Sequence, residues 1–428
     1  MKNLILFLVI IITFSLVLSA CQLKTETTST TTTTSQSLPV DSPEEENASK
    51  GLEYILNDDG QSYSIVGIGS CTDNDLIIPN TYKKLPVTAI GDDAFSFCTN
   101  IISVVISDSI LSIGNKAFSE CAYLSSIVIP DNVTNIDDMA FYNCYRLNSV
   151  NIGSGVESIG ADVFVGCTLT NIEVSDDNNC YKSIDGHMYS KDGQILIQYA
   201  RAKYNDSFEF EIPKGVRVIA DGAFRDCRSL STIEIPDGVE IIGNYAFADS
   251  WITSIEIPDT VTSIGDYAFY GCGSMPSIKL PSNLKSIGKW AFSNTVIKSI
   301  IIPDSVTTIG ESAFDTCYSL TYVKIGDGVT NIPKGMFYGC TLLKTVIIGN
   351  NVTSIGDEAF FITGITSITI PNSVKNIGAF ALYSFEIENI YYLGTAEEWS
   401  LINIDQSCIG DEAHYLTKIT IHYDYVPQ

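Results

Sequence analysis

Cysteine is the residue with the most chemistry on offer in this chain: there are twelve, and eight of them stand three residues after a phenylalanine, at Cys98, Cys121, Cys144, Cys167, Cys227, Cys272, Cys317 and Cys340. Thiols recurring at one place in a repeat could cross-link neighbouring coils as disulfides, bind a soft metal, or fill a tight turn as small buried groups. Where Cys is missing, the same place holds Ser250, Thr295 or Thr363, which can hydrogen-bond but are poor soft-metal ligands. Cys227 and Cys272 have no cysteine in the neighbouring copies, no Cys-x-x-Cys pair occurs, and the three histidines (His187, His414, His422) lack zinc spacing. The expectation is therefore free thiols buried at a turn, with a disulfide ladder as the alternative and no metal. Free thiols in an exported protein would suit a cell living with little oxygen. Cys71, Cys180 and Cys408 fall outside the pattern and receive no role from sequence.

The twelfth cysteine has a different setting. Lys2 precedes an apolar run from Leu4 to Leu18, which ends in Leu18-Ser19-Ala20-Cys21. A charged start, an apolar middle and small residues before the break make a secretory signal. The ending resembles the lipobox of bacterial lipoproteins. That resemblance implies removal of residues 1–20 and acylation of Cys21, leaving the chain on the outer face of a bacterial membrane. An uncleaved spanning helix is the alternative. From 21 to 50 the anchor cysteine leads into a Thr/Ser-rich stretch, with Pro39, Pro43 and Glu44-Glu45-Glu46, that cannot bury apolar surface and reads as a disordered tether.

Arrangements for catalysis are missing. There is no phosphate-cradling glycine loop, no His-Glu-x-x-His and no Gly-x-Ser-x-Gly elbow. Carboxylates are plentiful, but Asp131, Asp237, Asp259 and Asp304 directly follow a proline, where turn chemistry accounts for them. The expectation is no catalytic residue, no cofactor and no enzyme. A formal charge of −26 repels phosphate backbones, so nucleic acid is excluded as a partner. It also leaves no basic face for anionic lipid, so membrane contact would run through the lipid anchor alone.

The elements that carry these residues form one repeated phrase. An Ile-to-Phe step of five residues runs from Ile90/Phe95 to Ile355/Phe360, and Ile377/Leu382 closes a series of twelve copies spaced 22 or 23 residues apart, with one gap of 60 between Phe164 and Phe224. Alternating pairs such as Ile127/Ile129-Pro130 and Ile300/Ile302-Pro303 read as short strands closed by a residue that cannot donate to a ladder. The next piece, typified by Val306-Thr-Thr-Ile309-Gly310, reads as a second short extended segment followed by a bend. The Ala-Phe segment is then expected to be a single helical or 3₁₀ turn that tucks Phe inward. One such coil cannot bury its own Ile and Phe, so coils must stack in parallel roughly 4.8 Å apart and need caps at both ends. The predicted organisation is an N-terminal cap with a hairpin over 51–89 and a twelve-copy solenoid over 90–387. A hairpin insertion near 179–208, read as an excursion rather than a domain boundary, interrupts it, and a C-terminal cap covers 388–428.

These phrases, with the Tyr181-Lys-Ser-Ile-Asp-Gly186 insertion and the Gly394-Thr-Ala-Glu-Glu-Trp399 ending, resemble the BspA-type leucine-rich-repeat surface proteins of bacteria over essentially all of 51–428. The resemblance implies a leucine-rich-repeat-like solenoid of strand-rich parallel coils. It also implies a scaffold for adhesion and protein–protein interaction, with host or bacterial surface proteins or glycans as partners. Residues between the buried positions of each strand must face outward. The candidate binding surface taken from them is Ser103, Val105, Ser126, Val128, Asn151, Glu173, Glu234, Glu256, Lys279, Tyr322, Lys324 and Thr369. The alternatives are a plain solvated strand face, on a structural envelope spacer without a ligand, and a secreted hydrolase whose carboxylate pair is hidden among the many Asp and Glu residues. Tyr123, Tyr145 and Trp251 are further exposed-looking aromatics in the loops.

Overall fold

The computed structural model describes residues 47–201, 210–384, 386–408 and 419–426. The chain divides into two compact units, Met1–Lys203 and Tyr204–Gln428. Both are stacks of parallel coils.

Each coil has three sides, and the sequence dictates each of them. On the first lies the Ile-x-Ile strand. Ser126–Ile129 alternates exposed and buried residues, as period-two patterning requires. It pairs one-to-one and in parallel with Ser149–Ile152, which pairs likewise with Asn171–Val174. In the second unit Ser299–Ile302, Tyr322–Ile325 and Thr345–Ile347 repeat the arrangement. The second side is a two-residue strand ending in Ile, as in the parallel series Ser112–Ile113, Asn135–Ile136 and Ser158–Ile159.

The third side departs from the expected helical turn. Residues two before and two after the Phe adopt left-handed backbone, as Asp93 (φ 55°) and Phe97 (φ 59°) do around Phe95. A helix would turn every N–H along its own axis and leave none for the next coil. Here the N–H groups alternate. Those of Asp93, Phe95 and Phe97 donate to Asn115, Ala117 and Ser119 of the following coil at 2.8 Å, while those of Ser96 and Cys98 turn back to Asp93 and Phe95. Left-handed backbone costs a non-glycine residue about 1–2 kcal/mol. The inter-coil bonds and the packing of the Phe offset it.

That packing is continuous within each unit. In the first, Phe95, Phe118, Phe141 and Phe164 stack with centroids 5.1–5.8 Å apart. In the second, seven rings from Phe224 to Phe360 stack at 5.0–5.6 Å, and Leu382 ends the column. All eleven rings and Leu382 are buried.

The ends are closed as the stacking requires. Glu53–Leu56 and Tyr63–Gly67 form the expected hairpin, whose second strand pairs in parallel with Leu85–Ile90. At the other end Thr395 and Glu398 form a capping box on the short helix Ala396–Ser400. Asn403–Ile404 and Thr420–His422 then rejoin the two strand series. The insertion is a hairpin, Tyr181–Ile184 with His187–Ser190, extended by a third antiparallel strand, Ile195–Gln198. No helix among the described residues is long and apolar enough to cross a membrane. Cys21 and residues 22–46 of the expected tether lie outside the described residues, but its last residues are ordered rather than disordered: Ser49 is buried, donates its hydroxyl to Asp73 at 2.7 Å and exchanges backbone-edge bonds with Ile77, because the edge of Asp75–Ile77 needs a partner.

Candidate functional site

In the first unit the outward residues gather into one groove of about 770 Å³. Its floor is a row from consecutive coils: Val105, Val128, Asn151 and Glu173. The strand registers place Val128 beside Asn151 and Asn151 beside Glu173. Val105 and Val128 are 57% and 60% exposed although apolar. Glu173 accepts a hydrogen bond from Asn171 Nδ2 at 2.9 Å. Ser103 and Ser126 flank the floor in the parallel outward row, with Ser103 half-buried and donating to Asp75.

Turn residues and the insertion complete the walls. Asp108, Asp131 and Asp176 line one edge. The Ser154 N–H donates to Asp131 at 2.7 Å, and this holds its carboxyl below the usual range. Gly153 is obligatory beside it, because a Cβ there would come within 2.6 Å of the Pro130 backbone. At the far end Ser183, from the insertion, donates to the Ile172 carbonyl at 2.6 Å and accepts from the Val174 N–H at 2.9 Å. The Ile172 N–H donates to the Gly186 carbonyl. The insertion thus occupies the open edge of Asn171–Val174 and blocks further strand addition there.

In the second unit the predicted residues do not gather into one site. Glu211, Glu234 and Glu256 stand in register on three adjacent strands. Glu211 is absent from the surface expected from sequence, although its phrase, Phe210-Glu211-Ile212-Pro213, matches the Ile-x-Ile-Pro pattern that could have found it. Lys279 is exposed but sits outside any strand. Pro276 precedes it in that coil and has no N–H to donate. Lys324 is exposed between Ile301 and Ile347. Tyr322 and Thr369 are half-buried rather than exposed.

The cysteines behave as turn fillers. Cys121, Cys144, Cys167, Cys272, Cys317 and Cys340 each donate Sγ–H to the carbonyl of the Phe in the preceding coil, at 3.1–3.2 Å. Thr295 and Thr363 place a hydroxyl there instead and bond their own coil's Phe carbonyl. None of the eight repeat cysteines forms a disulfide, but Cys98 is half-buried where the others are buried. Burial pushes the Cys121 and Cys272 thiols up to about 12. Cys408 takes the Ala place of a coil, since its carbonyl receives the Leu382 N–H as Ala359 receives that of Phe337.

Two further features escaped the sequence. Tyr245, Tyr267 and Trp290, all left-handed and half-exposed, stack with parallel planes at 4.7 and 6.1 Å, and the Arg225 guanidinium lies 4.7 Å over the Tyr245 ring. Asp315, on the residue after a core Phe, is only 7% exposed, and burial raises its carboxyl to about 6. Tyr123, Tyr145 and Trp251 are exposed as expected.

The BspA type leucine rich repeat region matches the chain in six copies, over residues 70–192, 201–321 and 291–411. No curated protein matches. Among solved structures, a leucine-rich repeat protein of Bacteroides ovatus is 25% identical with a TM-score of 0.48, over 87% of this chain and 98% of that one. A leucine-rich repeat protein of Eubacterium ventriosum is 21% identical (TM-score 0.46), over 78% of this chain and 93% of its own. A leucine rich cell surface protein of Faecalibacterium prausnitzii is 23% identical (TM-score 0.42), over 83% and 97%.

Proposed function

The chain belongs to the BspA-type leucine-rich-repeat family, and on that premise we propose that it is a non-enzymatic binding scaffold held on a bacterial cell surface by a lipid on Cys21. Its ligand is a surface protein of a host or of another bacterium. The observation that carries the reading is the groove: two exposed valines followed by an asparagine and a glutamate on four consecutive coils, the last three on one parallel sheet. Scattered apolar residues are normal on a surface, whereas apolar groups gathered in a concavity with a polar rim suit a contact site. The sheet holds Val128, Asn151 and Glu173 at fixed spacing, with Val105 on the strand of the preceding coil, so little conformational entropy is lost when a partner docks. Lipidation is supported by the Leu18-Ser19-Ala20-Cys21 ending after an apolar run, and two or more acyl chains would hold the protein firmly.

The test is a saturable-binding screen of the full chain against matrix proteins and bacterial surfaces, repeated with Val128→Asp. Binding by the parent and its loss in the variant support the groove. Equal binding by both excludes it.

A glycan ligand is favoured by a separate observation, the half-exposed aromatic column Tyr245–Tyr267–Trp290. Its last ring is followed in the next coil by Ser312, too small to cover it, and an open ring face suits the apolar face of a sugar. A glycan array on which Trp290→Ala loses its hits would establish that reading. An array on which parent and variant score alike would exclude it.

A further inference from the structure

The chemistry along the groove floor changes in one direction, and that order describes an occupant. Val105 and Val128 are exposed and apolar, Asn151 is neutral and polar, and Glu173 is charged. Asp108 and Asp176 add negative charge along the turn edge, and no Lys or Arg lines the groove. Among the described residues Glu173 meets only the amide of Asn171, so its charge has no cationic partner.

Resting on the reading of this groove as the binding face, we propose that it takes an extended protein segment with two apolar side chains two residues apart and a lysine or arginine two residues further on. The spacing follows from the coils. Two strand steps of about 4.8 Å separate Val128 from Glu173, and Val105 lies one coil before Val128, roughly 14 Å in all. In an extended segment, residues i, i+2 and i+4 face one side and span about 13 Å at 3.3 Å per residue. The two apolar side chains would lie over Val105 and Val128, and the basic one would reach Glu173 past Asn151. The segment is read through its side chains, because the insertion's Ser183 and Gly186 already occupy the backbone groups at this sheet edge. Arginine is the better match, since its fork can bond a carboxylate with two parallel N–H groups. No aromatic ring lines the groove, which leaves a sugar without a stacking surface there.

Fluorescence anisotropy with the full chain and three labelled peptides tests this. One carries Leu-Ser-Leu-Ser-Arg, the second the same residues ordered Leu-Leu-Ser-Ser-Arg, and the third Leu-Ser-Leu-Ser-Glu. The first should bind about tenfold more tightly than the third, the scale of one charge-assisted contact, and about tenfold more tightly than the second, whose adjacent leucines cannot both face the valines. Glu173→Gln should erase most of the preference for Arg over Glu, and Glu173→Arg should reverse it. Equal affinity for the three, no saturable binding of the first at millimolar concentration, or a preference unchanged by Glu173→Arg overturns the proposal. If any of these occurs while Val128→Asp still abolishes capture of a surface protein, the groove remains the binding face and only the segment's chemistry is wrong. If Val128→Asp leaves that capture intact, both readings fall together.

Discussion

Removing one ring from the middle of the second column, as Phe269→Ala, should destabilise the unit far more than an ordinary surface change. Phe269 is fully buried and stacks on Phe247 and Phe292 with both centroid distances at 5.2 Å. Truncating a buried Phe to Ala costs about 3–5 kcal/mol through lost transfer energy and the cavity left behind. Two stacked pairs add about 0.5–1.5 kcal/mol each. The Phe269 N–H donates to the Ala291 carbonyl at 2.7 Å, and the left-handed residues hold that bond whatever the side chain. The coil therefore cannot collapse freely into the hole, and a loss of about 4–8 kcal/mol is expected. Phe269→Leu should cost much less, because Leu382 shows that a leucine closes the column. Urea unfolding followed by circular dichroism, with hydrogen exchange to localise the effect, measures both. In a stack where each coil contacts only its neighbours, protection should fall most in the coils around 247, 269 and 292. A loss below about 1.5 kcal/mol for the alanine variant, or a uniform loss of protection along the unit, would refute the column as the source of stability.

Other outcomes follow from single residues. Native alkylation read by mass spectrometry should label Cys98 well before Cys121 or Cys272, which are buried with thiols raised to about 12; equal labelling would contradict the burial. For those thiols the folded value lies above the unfolded one, so their contribution to stability is complete below about pH 9 and is lost as pH rises toward 12. Asp315 has the same sign at lower pH: raised from 3.8 to about 6, its contribution is present below 3.8 and lost as pH climbs through 6. Asp315→Asn should accordingly raise the melting temperature at pH 7.5 more than at pH 4, and an equal rise at both would remove Asp315 as the titrating group. Cys21→Ala should either release the protein to the medium or leave a membrane-bound precursor larger by the uncut residues 1–20, and a membrane-bound protein of unchanged size would sink the lipid anchor.

Much of the fold was legible because the repeat is enforced by burial. An Ile at every strand and a Phe at every corner have no other place to go, so their spacing announces the coils and their stacking. The corner's conformation was not legible. Trp290, Phe97 and Ile362 adopt left-handed backbone, which intrinsic preference opposes in a bulky residue. Only the demand of the next coil for N–H donors makes that conformation necessary. The break at the coil of Pro276 has a local sign in the proline itself, but its effect on Lys279 depends on a bond owed to the adjacent coil. For the groove, the row Val105, Val128, Asn151 and Glu173 was readable from alternation within each strand. Its closure by Ser183 was not, since that contact joins the insertion to the strand edge through backbone groups that carry no sequence signature. Asp315 and the aromatic column Tyr245–Tyr267–Trp290 were missed for a similar reason: their neighbours lie one coil away.

Binding of a protein partner by the first unit's groove is tested by the dissociation constant of the full chain for one partner captured from a host or bacterial surface, compared with those of Val128→Asp and Glu256→Lys. Val128 lies in the groove, whereas Glu256 lies on an exposed strand of the second unit. Val128→Asp should weaken binding at least about tenfold, and Glu256→Lys should leave the constant unchanged. A loss at Glu256 with none at Val128 would place binding on the second unit and contradict binding by the groove.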